Sequence, residues 1–192
     1  MMSHSANANA HPLQKYVDGL KTFSANFEQI IPEDSFTNNV SKGHFNLLRP
    51  GQLFWQYQQP AGYSIIVENS NLWVFDDELE QVTVRPVADV QRDIPLNWLL
   101  FDEPIADRFK IREIESRNGE QWYSLTPTFT TYFISVEVAI KNEKMVAVSL
   151  YEALDKVTYI RFSDIKQNIT LPANAFKIVI PENMDVIGEP NS

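Results

Sequence analysis

Cysteine is absent from the 192 residues, so a disulfide scaffold, a thiol nucleophile and a Cys-based zinc site are all excluded. That lack is compatible with an oxidising or a reducing compartment. No apolar run reaches the roughly 18–20 residues that a membrane-spanning helix needs. Glycine is sparse at six residues and proline ordinary at eleven, which argues against a linker-rich or fibrous chain. Basic residues are in deficit, 16 Lys and Arg against 25 Asp and Glu, for a formal net charge of −9. Such a field repels polyanions, and nucleic acid is not expected as a partner. Histidine is nearly missing too: His4, His11 and His44 are scattered, so neither a metal centre nor a catalytic triad is expected. There is no Gly-x-Ser-x-Gly motif and no available His to partner a serine, so an enzyme is not expected, nor any cofactor.

What the chain does hold is apolar and aromatic. Hydrophobic residues make up 44% and charged residues 21%, and 12% are Phe, Tyr or Trp. Those proportions suit a globular protein with one sizeable core and large apolar surfaces to cover. Residues 12–185 read as a single domain. Met1–His11 is polar, rich in Ala and Asn, and has no apolar signal core, so it reads as a leader or mature N-terminus outside the fold.

Periodicity gives the element order. Leu13, Tyr16, Val17 and Leu20 recur at helical steps, so a short helix of about ten residues is expected after Pro12. The period then changes to two, with Phe23, Ala25, Phe27 and Gln29 on one side. Strands are expected at 41–48, 52–58, 63–68, 72–76 and 81–85, then at 109–115, 121–126, 132–140, 145–152 and 157–166, with a short last one near 176–180. Arg49-Pro50-Gly51, Gln59-Pro60-Ala61-Gly62, Arg117-Asn118-Gly119 and Asn142-Glu143 mark the turns. About ten or eleven strands imply one large antiparallel sheet, which curls and closes wholly or partly into a barrel. Between Pro86 and Asp107 the two-residue period fails. A helix starting at Asp93 and Pro95 is expected there, and its apolar residues must cover something, the open mouth of the sheet being the nearest candidate.

Several blocks, in order, resemble the LolA family. Gly43-His44-Phe45-Asn46-Leu47-Leu48 leading through Arg49-Pro50-Gly51 into Leu53-Phe54-Trp55-Gln56-Tyr57 is similar to that family's strand–turn–strand signature. Gln59-Pro60, Ile65-Ile66-Val67, Leu72-Trp73-Val74-Phe75-Asp76, Leu79-Glu80-Gln81-Val82-Thr83, Ile94-Pro95 and Leu99-Leu100 follow at family-like spacing, as does Leu20–Gln29 before them. The turn at Glu68-Asn69-Ser70-Asn71 and Asp77 depart from the pattern. The resemblance implies an incomplete, half-open β-barrel with a helical lid over a hydrophobic cavity. It further implies a periplasmic chaperone that holds lipoprotein acyl chains between the inner and outer membranes. The partners it implies are acylated lipoproteins, an inner-membrane ABC-type release complex and an outer-membrane lipoprotein receptor, with the chain itself a monomer. A receptor or lipid-sensing module on the same fold is the alternative reading.

The residues singled out carry two readings each. Arg49, read locally, is a surface cation in a turn; the resemblance makes it the latch that hydrogen-bonds the lid, and five guanidinium donors suit helix-end carbonyls. Phe45, Leu47, Leu53, Trp55, Tyr57, Trp73 and Phe75 are the expected cavity wall, although a filled core has the same period of two. Ile94, Leu96, Trp98, Leu99, Leu100 and Phe101 are the expected lid. Asp76, Asp77, Glu78 and Glu80 lack calcium-loop spacing and read as a solvated turn. Asn168-Ile169-Thr170 matches a glycosylation sequon that three residues often form by chance.

Overall fold

The computed structural model of the chain describes residues 11–33, 37–68 and 70–191. His4, Asn69 and the expected leader up to residue 10 lie outside the described residues. Helix α1 is Pro12–Gly19, with the proline in its first turn, where a missing N–H costs nothing, and His11 Nδ1 accepting from the Leu13 N–H at 3.2 Å. Its inner face places Leu13 and Val17 fully out of solvent. Six strands follow: β1 Thr22–Pro32, β2 Asn38–Leu48, β3 Gln52–Gln59, β4 Ala61–Glu68, β5 Asn71–Asp76 and β6 Gln81–Pro86. After a stretch of short helical turns come β7 Phe109–Arg117, β8 Glu120–Pro127, β9 Phe133–Lys141, β10 Lys144–Glu152, β11 Val157–Gln167 and β12 Asp185–Ile187.

All twelve strands form one sheet, in the order β12-β6-β5-β4-β3-β2-β1-β11-β10-β9-β8-β7. The edges β12 and β7 do not pair, so the sheet curls without closing. Two tight hairpins have the residues their backbone requires. Asn118-Gly119 and Asn142-Glu143 both hold positive φ at the two turn positions, the twist that matches flanking antiparallel strands. In β2, a Cβ on Gly43 would lie 1.9 Å from the Gln56 carbonyl oxygen and 2.7 Å from the Phe27 ring. The register also slips between Lys42 and Gly43, so this glycine is where the sheet bends tightly onto itself.

The end of the chain departs from expectation. Residues 176–180 form no strand; they run across the back of the sheet as turns and extended chain. The last strand is β12, and it pairs with β6 in parallel, whereas the other pairings among the described residues are antiparallel. The route is tied down by amides. Asn168 Oδ1 accepts from the Lys21 N–H at 2.7 Å while its Nδ2 donates to the Gly19 carbonyl at 3.0 Å, so the sequon asparagine is part of the α1–β1 junction. Near the far end, buried Asn71 donates to the Asn191 carbonyl at 3.1 Å and accepts from its N–H at 2.7 Å.

This tail decides which way two aromatic residues face. One cross-strand row, Phe23–Leu47–Leu53–Val67–Leu72, lines the concave face and belongs to the main core. The row one residue along, Phe54–Ile66–Trp73–Val84, points to the convex face. There Ile66, Phe75 and Val82 form a second cluster with Phe54 and Trp73, covered by Ile178 and Met184 of the tail. Trp73 and Phe75, expected on the cavity wall, are therefore on the opposite side of the sheet. The reason is local: Leu72–Phe75 is apolar at both parities because both faces of β5 are covered.

Asn71→Ala is expected to destabilise the fold by about 1–3 kcal/mol, since the Asn191 groups lose their partner. The tail should also be freed, so tryptic cleavage after exposed Lys177 would accelerate ahead of cleavage elsewhere; an unchanged digestion pattern would show that the tail is held by β12 without this pair.

Candidate functional site

The chain from Pro86 to Phe109 crosses the concave side as several short pieces. Helix α2 is Val87–Val90, a 3₁₀ turn covers Gln91–Asp93, α3 is Asn97–Leu100 and α4 is Ile105–Arg108. The single helix expected from Asp93 and Pro95 does not form. Pro95 keeps the preceding residue extended, and α3 starts only after Leu96, with no side-chain cap. Burial within it is nevertheless deep: Leu96, Trp98, Leu99 and Leu100 are all buried, and Phe101 packs on them half-exposed.

Arg49 holds this segment in place. Its Nη2 donates to the Phe101 carbonyl at 3.1 Å, just past the end of α3. Its Nη1 donates to the carbonyls of Leu20, at 3.1 Å, and Val17 at the end of α1. The side chain is 6% exposed and lies 3.6 Å from the Asp102 carboxylate. Burial draws the guanidinium below its ordinary range, while Asp102 and Asp18 push it back up. Helix C-terminal carbonyls carry partial negative charge, so one cation serves two helix ends. Nε, however, is buried without a partner among the described residues. The same turn adds a backbone bond, Gly51 N–H to the Leu100 carbonyl at 2.8 Å, and α1 adds Gln14 Oε1 accepting from the Ile105 N–H at 2.8 Å.

Beside the lid lies a cavity of about 390 Å³, within the roughly 300–1,000 Å³ range of small-ligand sites. Leu53, Trp55, Tyr57, Ile65, Val67 and Leu72 form one wall, Val148, Leu150 and Ile160 the other, and Ile94, Pro95 and Leu96 the cover. Trp55 has two roles. Its ring packs 4.6 Å from Phe27 and 5.0 Å from Phe45, centroid to centroid, and also lines the cavity. Gln29, Tyr132, Thr158, Asp93 and Glu152 add polar groups to the lining. Two larger hollows, of about 550 Å³ beside Gly43 and about 670 Å³ beneath the tail, are lined by charged and amide side chains among others and are less suited to an apolar guest.

Of the expected wall, Leu53, Trp55 and Tyr57 line the cavity, whereas Phe45 and Leu47 are fully buried and fill the core behind it. Of the expected lid, Ile94 and Leu96 face the cavity, and Trp98, Leu99 and Leu100 pack into the core. The contribution of β10 and β11 through Val148, Leu150 and Ile160 was not foreseen. Their alternation was visible, but which distant strands meet is not a local property. His44, expected to have no serine partner, does meet Ser24 Oγ at 3.3 Å, with Asn26 and Asn46 also in reach. The group lies along strand backbones on the convex face; of its members Asn26 lines the hollow beside Gly43, and Ser24 and His44 line none of the three hollows described.

A family model described as outer membrane lipoprotein carrier protein LolA matches residues 18–179. Curated relatives named outer-membrane lipoprotein carrier protein include one from Cupriavidus pinatubonensis, 29% identical over 91% of this chain and 85% of its own length. Another, from Dechloromonas aromatica, is 28% identical over 92% and 86%. Among solved structures, a LolA superfamily protein from Nitrosomonas europaea superposes with a TM-score of 0.50 at 13% identity, covering 86% of this chain and 96% of that one. An uncharacterised conserved protein from Thermus thermophilus reaches 0.58 at 12% identity, covering 94% and 100%. The two superpositions establish a shared fold.

Filling and lining residues should separate on mutation. Leu100→Ala, in the sealed part of the lid, is expected to cost about 2–5 kcal/mol. Ile94→Ala, half-buried at the cavity, should cost clearly less yet change the affinity of an environment-sensitive apolar dye. Equal stability losses in denaturant titrations, with no change in dye affinity, would mean that the cavity plays no part in binding.

Proposed function

The chain belongs to the LolA family of outer-membrane lipoprotein carriers, and from that premise we propose that its lidded cavity receives lipoprotein acyl chains and shields them from water in transit between two membranes. The observation that carries this reading is an apolar cavity whose cover is held by one buried cation on helix-end carbonyls. The family implies a carrier, and the reading invokes no chemistry on the cargo. No described helix is long and apolar enough to cross a membrane. The periplasm is the compartment in which such a carrier acts. An inner-membrane ABC-type release complex would be its donor and an outer-membrane lipoprotein receptor its acceptor.

The energetics suit a carrier that must also let go. Transferring an acyl chain from water is favourable by about 0.8 kcal/mol per CH₂, so roughly 14 buried methylenes gain on the order of 10 kcal/mol gross. Against this stands the cost of lifting Ile94 and Leu96 off the wall and breaking the Arg49 contacts. The unpaired Nε keeps the closed form from being fully satisfied, because a buried donor without an acceptor retains its desolvation penalty. Arg49 thus biases the lid shut without locking it, and cargo competes with the lid for the same apolar wall. In this reading Arg49 is the latch, with Leu53, Trp55 and Tyr57 as the acyl-binding wall.

Two measurements test it. Arg49→Leu removes charged hydrogen bonds that contribute roughly 1.5–3 kcal/mol each, so it should shift the lid toward open by about tenfold or more. Dye binding should rise and handover of cargo to an acceptor should fall; normal transfer with unchanged dye binding removes Arg49 from the mechanism. Native mass spectrometry with a triacylated lipoprotein, free of detergent, should show a one-to-one complex that disappears when the acyl chains are removed. A complex that survives delipidation would place recognition on the cargo polypeptide instead.

A further inference from the structure

Helix α1 is rooted in the sheet. Its inner residues Leu13 and Val17 are buried, and Tyr16 Oη donates to Gln167 Oε1 at 2.6 Å while accepting from the Met145 N–H at 3.1 Å. Two side chains tie the cover to this fixed helix. Arg49, seated on the last carbonyls of α1, holds the Phe101 carbonyl, and Gln14 Oε1 holds the Ile105 N–H at 2.8 Å. Pro104 gives α4 no side-chain cap among the described residues, so the first N–H of that helix has its acceptor in Gln14. Gln14 Nε2 donates to Asp18 Oδ1 at 2.6 Å, which orients the amide. The far end of α4 is tied as well, since the Thr128 N–H and Oγ1 both donate to the Arg108 carbonyl at 2.9 Å. Between the Arg49 and Gln14 contacts stand Asp102, Glu103 and Pro104, all exposed. Their side chains divide: Asp102 lies 3.6 Å from Arg49, whereas Glu103 Oε1 accepts from Arg108 Nη2 of α4 at 3.2 Å. Pro104 has a fixed φ, which leaves Asp102 and Glu103 as the residues with most freedom to turn.

We propose that Gln14 is a positioning residue of the lid: it pins α4 to α1, so that residues 87–101 swing as a flap about Asp102 and Glu103 while α4 stays in place. This motion presupposes the carrier reading and deepens it by assigning which part of the cover moves. Ile94 and Leu96, which line the cavity, are on the flap, and Ile105, buried in the core, is on the stationary side. A hinge of this kind absorbs the motion in a few residues at the ends of elements. Arg49 and Gln14 then have different tasks. The Arg49 contact with Phe101 breaks when the flap lifts, and the Gln14 contact with Ile105 persists. Gln14 still bears on the open–closed balance, because closing requires both ends of residues 101–105 to be in place at once. Ordering a loosened end costs conformational entropy, and the open form makes no such demand.

Amide hydrogen exchange, followed residue by residue on the full chain, separates the two tasks. Gly51, whose N–H donates to the Leu100 carbonyl, reports on the flap, and Ile105 reports on α4. In Arg49→Leu the Gly51 amide is expected to exchange about tenfold or more faster, with Ile105 within about twofold of the parent. Gln14→Leu should release the Ile105 amide and raise affinity for an apolar dye by about two- to tenfold. Gln14→Glu keeps an acceptor for that N–H and should restore both readings, which a general loss of stability would not do. Gly51 and Ile105 quickening together in Arg49→Leu would overturn the proposal, because the cover would then open as one piece. Unchanged dye affinity in a Gln14→Leu chain whose Ile105 amide is released would overturn it too, leaving Gln14 a local cap. The carrier reading fails on a separate result: the parent chain forming no complex with a triacylated lipoprotein, whatever its exchange pattern.

Discussion

An apolar sheet that stops short of closing has to cover its concave face, and the rest of this molecule follows from how that is done. Twelve strands curl around a face of Phe, Leu, Val and Trp side chains, and the strand edges β7 and β12 never meet. In a closed barrel the interior would seal itself. Here a 22-residue crossing between β6 and β7 provides the cover, broken into short turns that follow the sheet's curvature better than one straight helix could. The hydrogen bonds within this cover are local ones of short turns, and the turn between β2 and β3 ties it to the sheet.

Besides the backbone bond from Gly51 and the contact from Gln14, that hold includes one side chain placed where two helix ends converge. Arg49 reaches α1 and the lid together, so the N-terminal helix and the cover are coupled through one guanidinium. Hydrogen bonds to a buried cation are strong but sensitive to geometry, and breaking them exposes a charge that water readily accepts. The contact is therefore suited to opening and closing in a way that Leu99 and Leu100, sealed in the core, are not. The lid is divided accordingly: Trp98, Leu99 and Leu100 pack into the core, and Ile94 and Leu96 line the cavity.

The convex face shows the complementary solution. Where the sheet cannot leave apolar residues in water, the C-terminal tail crosses behind β4, β5 and β6 and adds β12 at the edge. Two amide-bearing residues, Asn168 and Asn71, fix the start and the end of that route. Asn71 is buried, where an unpaired amide is costly, and pairing it with the Asn191 backbone makes the end of the path specific.

Much of this was written in local patterns. Alternation located eleven of the strands within a few residues, Asn118-Gly119 and Asn142-Glu143 marked their hairpins, and the failure of the two-residue period after Pro86 marked the cover. Read locally, Arg49 was a surface cation in a turn; the family resemblance alone implied that it reaches the lid's helix-end carbonyls. Tertiary structure decided what depends on distant contact: that β12 pairs in parallel with β6, that α1 shares Arg49 with the lid, and that β10 and β11 complete the cavity. It also decided that Trp73 and Phe75 face the tail, and that Phe45 fills the core where Trp55 lines a space. The physical reason is that a period of two records which residues alternate, and identifies the buried side only when the other side is wet. Where both faces are covered, as in β5, and where filled core and empty cavity present the same apolar surface, only the packed chain distinguishes them.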